Sequence, residues 1–355
     1  MSILLRRIHI ELTNVCNFKC QFCPDAVMER KRGKMELHLL RKILNEISHF
    51  PKSPTVLFHV LGEPLLYPHV FEAISLAVEL GLNLELITNG STLHLFPKNI
   101  QQLINSGIPK VTISLQTPDK DTFNLRGATK NLKAKQYFDG ILRFTRDNIL
   151  SDSNTIVQIK FMDSTPRFYS LPYKAIKVIS GKEQIRKQLS DWTVKILKDV
   201  VPDSQISEII DMEFARIKTG LPQVFHIHSK VSLYSFPLDN WGNLNLDKIY
   251  QAKFGYCDGA SGQLAVLFNG TVVPCCTDYE GLIPLGDSND KSFMQILNEP
   301  HAIELRNGFN SFKVQHPLCK KCLGANTIFK SIIRQFGSIV YYKVIKPMRN
   351  QRVSS

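Results

Sequence analysis

The first 230 residues alternate short β-like runs with helical patterns, and this alternation restricts the fold more than any other feature of the chain. Six such runs occur, at residues 6–12, 55–61, 82–88, 110–116, 155–162 and 224–231. Repeated βα units of this kind predict a parallel sheet with right-handed crossovers. A sheet of that size is either open and doubly wound or curled into a partial barrel, so the sequence predicts an α/β fold.

The strands have one polar and one apolar face, which favours the barrel. Purely parallel sheets usually read as continuous apolar runs, because both faces are buried. A polar face suits the lumen of a partial (β/α)6, TIM-like barrel that holds a polar ligand. The alternative is that the polar side chains satisfy one another inside the protein. The polar positions are His9, Glu11, His59, Asn83, Glu85, Thr112, Ser114, Gln116, Gln158, Lys160, His226 and His228.

The eight cysteines form two groups, three within the first 23 residues and five after residue 256. The N-terminus lacks a secretory layout, so we expect a cytoplasmic protein whose thiols stay reduced. In that compartment such grouping indicates metal ligation rather than disulfides. The first group, Cys16, Cys20 and Cys23, has the spacing C-x₃-C-x₂-C. Three thiolates can hold three irons of a [4Fe–4S] cluster and leave the fourth iron open to a small molecule.

The segment CNFKCQFCP at residues 16–24 resembles the cluster motif of the radical S-adenosylmethionine (SAM) superfamily, with Phe22 as the aromatic residue before the last cysteine. The resemblance implies that the open iron chelates the amino and carboxylate groups of SAM. An electron from the cluster then cleaves SAM to a 5′-deoxyadenosyl radical, which abstracts hydrogen from the substrate. It also implies a cytosolic electron donor such as flavodoxin or ferredoxin.

Three further segments, at the ends of the next three strands, match SAM-binding positions of this family. The segment LGEP at 61–64 resembles the family's GGEP, with Leu61 in place of the first glycine, and ITNGS at 87–91 resembles its polar turn. The fourth strand carries a serine, and an arginine follows it twelve residues later. A guanidinium suits the SAM carboxylate, because the two groups form paired hydrogen bonds. The resemblance implies that SAM is bound by Gly62, Glu63, Asn89, Ser114, Gln116 and Arg126.

The second cysteine group has the spacing of a closed four-ligand site, and Asn269-Gly270 predicts a tight hairpin that delivers its second member. By residue type alone, zinc and iron–sulfur are both possible. The segment 257–322 resembles the C-terminal SPASM domain, or the shorter twitch domain, of radical SAM enzymes. Cys276 is then spare, either as a small buried hydrophobe or as an alternative to its neighbour. The resemblance implies one auxiliary [4Fe–4S] cluster held by Cys257, Cys275, Cys319 and Cys322.

These features predict a barrel domain at 1–230, a SPASM or twitch-type domain at 231–325 and a tail at 326–355. Two helices are expected within 182–200 and 203–220. Residues 327–347 show the pattern of a basic amphipathic helix, with Lys330, Arg334, Lys343 and Lys346 among apolar residues. Such a helix fits peripheral contact with a membrane surface, contact with a partner, or docking on its own domain.

Two reactions fit an enzyme that resembles the twitch-type members. One is that of the 2-deoxy-scyllo-inosamine dehydrogenases, which oxidise a carbon bearing a hydroxyl group and pass an electron to the auxiliary cluster. The other is that of peptide maturases, which modify side chains of a precursor peptide. The cluster motif begins at residue 16, which leaves no room for an N-terminal peptide-recognition domain and favours a small or carbohydrate-like substrate.

Other classes of function fit less well. A non-enzymatic metal scaffold has no use for a SAM clamp such as Gly62, Glu63 and Arg126. The net charge of +13 suggests an anionic substrate or surface, but no RNA-binding module is visible, so nucleic acid is not expected as a partner. By residue type and position, the candidates for acid–base catalysis are Lys160, His226, His228 and Asp278.

Overall fold

The computed structural model describes residues 4–167, 176–239, 241–243, 246 and 248–346. These residues form an α/β fold whose strands all belong to one sheet. The strands are β1 (Arg7–Ile10), β2 (Thr55–Phe58), β3 (Leu84–Thr88), β4 (Lys110–Gln116), β5 (Ile156–Asp163), β6 (Gln223–His228), β7 (Val231–Pro237), β8 (Gln263–Val266), β9 (Thr271–Val273) and β10 (Gly286–Asp287).

The sheet is mostly parallel, as the alternating sequence pattern predicts. Its strand order is β10-β9-β8-β1-β2-β3-β4-β5-β7-β6. The strands from β8 to β7 in this order run parallel to their neighbours, and β6, β9 and β10 pair antiparallel. All parallel strands therefore present their carboxyl ends at one edge, where the cysteine loop and the polar turns follow β1 to β4.

Helices cover the apolar face of the sheet. The first is typical, because Leu39, Leu40, Ile43, Leu44 and Ile47 recur at helical spacing and are all buried. No helix within the described ranges combines the length and apolar character needed to cross a membrane. The helices are α1 (Leu37–Ser48), α2 (Val70–Glu79), α3 (Thr92–Leu95), α4 (Lys98–Ile104), α5 (Lys120–Phe123), α6 (Ala134–Leu150), α7 (Lys182–Leu197), α8 (Asp203–Glu213), α9 (Phe293–Leu297), α10 (Pro300–Asn310), α11 (Pro317–Cys322) and α12 (Ile328–Val340).

The sixth parallel strand differs from the prediction. Residues 224–231 were expected to form it, but β6 is an antiparallel strand at the outer edge of the sheet. The sixth position belongs to β7, which pairs with β5 from Val157↔Val231 to Asp163↔Pro237. Both runs alternate apolar residues and are separated by a two-residue turn, so periodicity alone did not distinguish them. Burial does, since β7 is buried over most of its length and β6 exposes Val224 and His226.

The C-terminal hairpin belongs to the same sheet as the predicted barrel. Gly270, at φ +95°, makes the turn between β8 and β9, and β8 pairs in parallel with β1. The sheet is thus continuous across the expected boundary at 230/231, and the boundaries themselves stay predictions. The two helices expected after residue 182 are confirmed as α7 and α8. Residues 1–3 and 347–355, at the ends of the predicted segments, lie outside the described residues.

The polar side chains of the strands divide into two sets. Some satisfy one another, as the alternative to a ligand-lined lumen requires: Thr112 donates to Glu85 at 2.6 Å, and Gln158 donates to Ser232 at 3.2 Å. The two imidazoles His9 and His59 do not, because both ring nitrogens of His9 and Nδ1 of His59 are buried without a hydrogen-bond partner. The interior therefore contains polar groups that the described part of the protein leaves unsatisfied.

Candidate metal centre and cofactor site

The first cysteine group lies in the loop that follows β1. Within it, the Cys23 amide donates to the Cys20 carbonyl at 3.0 Å, and the Phe18 amide donates to Cys16 Sγ at 3.4 Å. Burial is the main cause that raises the pKa of Cys16 and of Cys23 to about 12, to which the charge of Glu63 contributes at Cys16 and that of Cys20 at both. The three half-buried thiols lie side by side, so they would lose their protons only to a cation or metal cluster that compensates the negative charge.

A second turn holds this loop in place. The Lys19 amide donates to the carbonyls of Arg126 and Gly127 at 3.1 and 3.2 Å, and the Gln21 amide donates to that of Leu125 at 2.9 Å. Gly127 has φ +53°, and a Cβ there would lie 2.5 Å from the Lys19 carbonyl oxygen. The cysteine loop and the arginine that follows β4 are therefore fixed to each other through backbone contacts.

Gly62 makes the corresponding close approach after β2. It has φ +79°, and a Cβ at this position would lie 2.2 Å from the Thr13 carbonyl oxygen. The next amide, that of Glu63, donates to the Val15 carbonyl at 2.9 Å. Only glycine fits here without moving the start of the cysteine loop, which gives the glycine of the LGEP segment a steric reason.

We expect Gly62→Ala to lower the free energy of unfolding by about 2–5 kcal/mol, because it adds a backbone clash to left-handed strain. The matched control is Gly81→Ala, where φ is +66° but a Cβ meets nothing within 4 Å. That variant should lose only about 1–2 kcal/mol. Urea denaturation measures the free energy of unfolding of both variants. Equal losses would contradict a steric role for the close approach of Gly62 to Thr13.

Glu63 is fully buried and positions the neighbouring turn. Its carboxylate accepts hydrogen bonds from the backbone amides of Leu65 at 3.0 Å and Asn89 at 2.5 Å and from the Thr88 hydroxyl at 2.6 Å. Burial raises its pKa, and these three donors oppose that shift. A carboxylate has about four acceptor positions, so one remains for a ligand such as the SAM amino group.

Asn89 connects this carboxylate to the cysteines. Its Nδ2 lies 3.6 Å from Cys16 Sγ and donates to Asn17 Oδ1 at 3.0 Å. Its carbonyl accepts from the Tyr137 hydroxyl at 2.7 Å and faces an Arg126 nitrogen at 3.5 Å. Tyr137 was not predicted from the sequence. It lies on the inner face of α6 at the buried end of an apolar stripe, where its sequence position does not distinguish it from a core residue.

Arg126 is a buried guanidinium next to the cysteine loop. Its carbon lies 4.7 Å from the centre of the Phe18 ring and 5.8 Å from that of Phe22. One terminal nitrogen donates to Gln116 Oε1, while its Nε is buried without a partner in the described residues. Burial opposes its charge, and the nearby Cys20 and Cys16 favour it, so its pKa stays raised. A buried cation with an unused donor fits a carboxylate ligand.

Gln116 and Ser114, the two SAM contacts predicted on β4, differ in their hydrogen bonding. Gln116 has φ +60° at the end of the strand, where the register with β5 shifts after Ile113. This irregular backbone turns its amide oxygen toward Arg126. Ser114 is half-buried, and no hydrogen bond of its hydroxyl occurs among the described residues. Gln116 thus orients the guanidinium, and a direct role for Ser114 stays a prediction.

The second cysteine group also comes together. Burial raises the pKa of Cys257 well above its usual range, and the charges of Cys275 and Cys322 add to this. Cys319 behaves in the same way, with Cys322 and Cys275 as its nearest like charges. Asn243 Nδ2 donates to the carbonyls of Lys321 and Gly324 at 3.0 and 2.9 Å and so fixes the turn that carries the C-x₂-C pair. The predicted four-cysteine set is therefore one buried group.

Cys276 adjoins Cys275 of that group, and its charge would raise the pKa of Cys275. Burial raises the pKa of Cys276 itself to about 11, while the positive charges of Arg7 and Lys160 oppose that shift. Cys276 packs against the same small apolar cluster as Cys23. The Trp241 indole donates to the Phe22 carbonyl at 3.2 Å. The two cysteine groups are thus neighbours, with Cys276 on the side of the first.

The four predicted acid–base residues are not brought together. His226 is exposed on β6, and His228 lies at the end of that edge strand, where Nδ1 accepts from the Lys230 amide. Asp278 is buried, but its two oxygens accept from the amides of Leu282 and Ile283 at 2.8 Å and close a turn. Lys160 alone faces the interior of the sheet.

Lys160 lies on the polar face of the sheet that the sequence predicts, where its charge acts on His9 and His59. Burial lowers the pKa of its ammonium, and a longer-range attraction to Glu85 opposes this. Its Nζ lies 6.0 Å from the centre of the Tyr234 ring. The imidazoles His9 and His59 are 6.3 Å apart, and burial lowers their pKa values to about 4 and about 3, so both are neutral at pH 7.

Within the residues that the structure describes, no three His, Cys, Asp or Glu side chains are arranged to hold a single metal ion. Ligation by either cysteine group is therefore a proposal. The residues nevertheless fit the cofactors that the sequence resemblance implies. The thiols of each group are buried together, and Arg126 offers an unused donor beside the first group.

Comparisons with known proteins agree with this arrangement. The family model for the radical SAM superfamily matches residues 10–160, and that for the SPASM iron–sulfur cluster-binding domain matches residues 257–323. A tungsten-containing aldehyde ferredoxin oxidoreductase cofactor-modifying protein from Pyrococcus furiosus is 27% identical over 111 residues, which cover 31% of each chain.

Two other proteins match over more of their length. An S-adenosyl-L-methionine-dependent 2-deoxy-scyllo-inosamine dehydrogenase from Niallia circulans is 24% identical over 212 residues, covering 59% of this chain and 83% of that protein. The structure of Streptococcus suis SuiB bound to the precursor peptide SuiA superposes with a TM-score of 0.55 at 16% identity, over 92% of this chain and 70% of the other. This last likeness concerns the fold alone.

Proposed function

We propose that this chain, a member of the radical SAM superfamily with a C-terminal SPASM domain, cleaves SAM reductively and oxidises a small polar molecule. The observation that carries the proposal is Arg126, a buried guanidinium with an unpartnered Nε beside three buried thiols. Its terminal nitrogens contact Gln116 and the Asn89 carbonyl, which leaves Nε as the donor without a partner among the described residues. It suits a ligand that brings a carboxylate to an iron held by Cys16, Cys20 and Cys23.

The residues around this site have distinct roles in the proposal. Arg126 pairs with the SAM carboxylate and is aimed by Gln116. Glu63 holds the Asn89 turn and keeps one acceptor position for the SAM amino group. Gly62 lets the backbone after β2 approach the cysteine loop. When bound, the first cluster supplies the electron that cleaves SAM to the 5′-deoxyadenosyl radical.

We assign one auxiliary [4Fe–4S] cluster to Cys257, Cys275, Cys319 and Cys322. A site closed by four cysteines has no open iron for a substrate, so its use is to accept an electron or to hold the fold. A short segment connects the two cysteine groups, because the Trp241 indole donates to the Phe22 carbonyl and a Cβ on the next residue, Gly242, would lie 3.1 Å from Cys322 Sγ. That proximity supports electron transfer from a substrate bound between them.

The polar face of the sheet favours a small polar substrate. Among the described residues, both ring nitrogens of His9 and Nδ1 of His59 have no hydrogen-bond partner, and Lys160 is a half-buried amine with a lowered pKa. Lys160 is our candidate for the group that takes the proton when a hydroxyl-bearing carbon is oxidised. The matched dehydrogenase acts on a molecule of this type, by its name. The second candidate is a peptide substrate, which the fold shared with the peptide-bound SuiB favours.

Arg126→Met tests the proposal through SAM binding. We expect its SAM affinity to fall about 10- to 150-fold, because a charge-assisted pair is lost. The matched control is Arg143→Met, an exposed arginine whose partner is Asp147 at 3.6 Å; it should bind SAM normally. Equilibrium dialysis under anaerobic conditions measures binding, and circular dichroism checks that Arg126→Met is folded. A folded Arg126→Met protein with normal SAM affinity removes Arg126 from the site.

A further inference from the structure

The C-terminal helix α12 docks on the protein through its polar face. Ser331 Oγ donates to the Tyr250 carbonyl at 2.9 Å, and Gln335 Oε1 accepts from the amides of Lys253 and Phe254 at 2.9 and 3.1 Å. One turn further on, Ser338 Oγ accepts from the Tyr256 amide at 3.0 Å. The three polar side chains lie on one side of the helix and fasten it to the backbone of residues 250–256.

The apolar face of the helix consequently points outward. A stripe at spacings of four residues is exposed by 41–60%: Ile328, Ile332, Phe336, Val340 and Val344 are 60%, 41%, 58%, 48% and 51% exposed. The stripe continues from α12 into the π-helical turn Tyr341–Ile345. An amphipathic helix on a globular protein normally buries this side. The reversed docking leaves an apolar surface that needs a partner outside the chain.

The sequence around this stripe is strongly basic. Glu304 is the last acidic residue, and the 51 residues that follow it contain ten Lys and Arg and no Asp or Glu. The other 304 residues hold 34 Lys and Arg against all 31 Asp and Glu. Almost the entire net charge of +13 thus belongs to the segment that carries the helix. The ten residues are Arg306, Lys313, Lys320, Lys321, Lys330, Arg334, Lys343, Lys346, Arg349 and Arg352.

Exposed cations also lie in the two segments that support α12. Lys313, one of the ten, and Lys253, which precedes them in the sequence, are both exposed there, and the bridge between Phe254 and Lys313 joins the two segments. Arg334 is half-buried on the helix itself. Lys343 and Lys346 instead contact Tyr256 and Asp258, so they hold the helix end against the protein. Exposed cations therefore accompany an exposed apolar stripe.

We propose that α12 lies in the surface of an anionic lipid bilayer, with its apolar stripe among the acyl chains and the basic residues on the headgroups. A helix with an apolar side and a cationic flank binds such surfaces both by burying apolar side chains and by electrostatic attraction to the anionic headgroups. A second copy of the chain is a poorer occupant, because it would bring the same excess of positive charge to the contact. The inference is independent of the reaction that the enzyme catalyses.

Flotation of the full-length, anaerobically reconstituted protein with lipid vesicles tests the proposal. We expect binding to phosphatidylcholine vesicles that contain about a third phosphatidylglycerol, and weak binding to phosphatidylcholine alone. Salt at about 0.5 M should weaken the binding. The variant Ile332→Glu with Val340→Glu should bind about tenfold more weakly or worse. If circular dichroism shows that it has unfolded, Ile332→Ser with Val340→Ser replaces it.

The matched control puts the same changes on exposed apolar residues elsewhere. Leu150 and Met212 are both 71% exposed, and Leu150→Glu with Met212→Glu should leave vesicle binding unchanged. The proposal is overturned if the wild type ignores anionic vesicles or if both glutamate pairs weaken binding equally. It is also overturned if light scattering shows that the wild type is a dimer and that the α12 variant, unlike the control, is a monomer. The stripe would then be covered by a second copy.

Discussion

Replacing Cys16, Cys20 and Cys23 together with alanine is expected to abolish SAM cleavage and to halve the iron content. The wild type should hold about eight irons per chain after anaerobic reconstitution, and the triple variant about four. The loss follows from chemistry rather than from folding, because three small apolar side chains replace three buried thiols and leave the rest of the loop unchanged. Iron analysis and chromatography of 5′-deoxyadenosine, formed with a strong reductant, measure the two effects.

Cys276→Ala is the matched control for that experiment. Cys276 is half-buried like the others but lies outside the proposed four-cysteine set, so we expect about eight irons and normal SAM cleavage. A triple variant that still forms 5′-deoxyadenosine would contradict the assignment of the first cluster. A wild type with four irons and one zinc would contradict the assignment of the auxiliary cluster, since zinc also accepts four thiolates.

Cys319→Ala is expected to abolish the oxidised product while sparing SAM cleavage. In the proposed reaction the auxiliary cluster accepts an electron from the substrate radical, so its loss stops the reaction after hydrogen abstraction. If the cluster only staples the fold, Cys319→Ala should instead unfold the C-terminal segment, because the energy of metal binding is then folding energy. The measurements are anaerobic turnover, with 2-deoxy-scyllo-inosamine as the first probe, and circular dichroism of the same protein.

Lys160→Met serves as the comparison variant for this experiment. It should also lose the oxidised product and keep SAM cleavage, but with the full iron content, because the proton acceptor is missing instead of the electron acceptor. Comparing iron in the two variants separates the roles. A folded Cys319→Ala protein that makes full oxidised product would refute the acceptor role of the auxiliary cluster.

Much of the site could be predicted because it depends on local order along the chain. The cysteine spacing, the LGEP segment and the interval from Ser114 to Arg126 are all short-range patterns, and each follows a strand that periodicity identifies. The parallel order of the strands then brings these segments to one edge of the sheet. The radical SAM and SPASM assignments, which the family models support, rest on the same local patterns.

The partners of individual polar groups could not be predicted, because they lie on other strands. Alternation shows that His9, Glu85 and Lys160 share the polar face, but not that Thr112 satisfies Glu85 while His9 has no partner. Asp278 looked like an acid–base residue because it follows two cysteines, yet its oxygens close a turn. Such differences depend on distances of a few ångströms between segments that are remote in sequence.

The docking of α12 shows a limit of a different kind. Its apolar and basic pattern correctly predicts an amphipathic helix, but the usual inference is that the apolar side faces the core. Here three polar residues, Ser331, Gln335 and Ser338, form hydrogen bonds with backbone groups at 250–256, so the polar side of the helix faces the protein. Whether the polar side of a helix finds hydrogen-bond partners depends on the surface against which it packs. The sequence of the helix does not contain that information.

The pairing of β1 with β8 joins Arg7 to Gln263, so β1 receives one of its two neighbours from a strand 256 residues further along the chain (263 − 7). During synthesis, β1 can pair with β2 early, but its other edge has no partner until β8 has been made. Closing so long a loop costs chain entropy before the contact stabilises the fold. The cysteine loop follows β1 directly, so a segment that is translated long before β8 is among the last to have its surroundings completed.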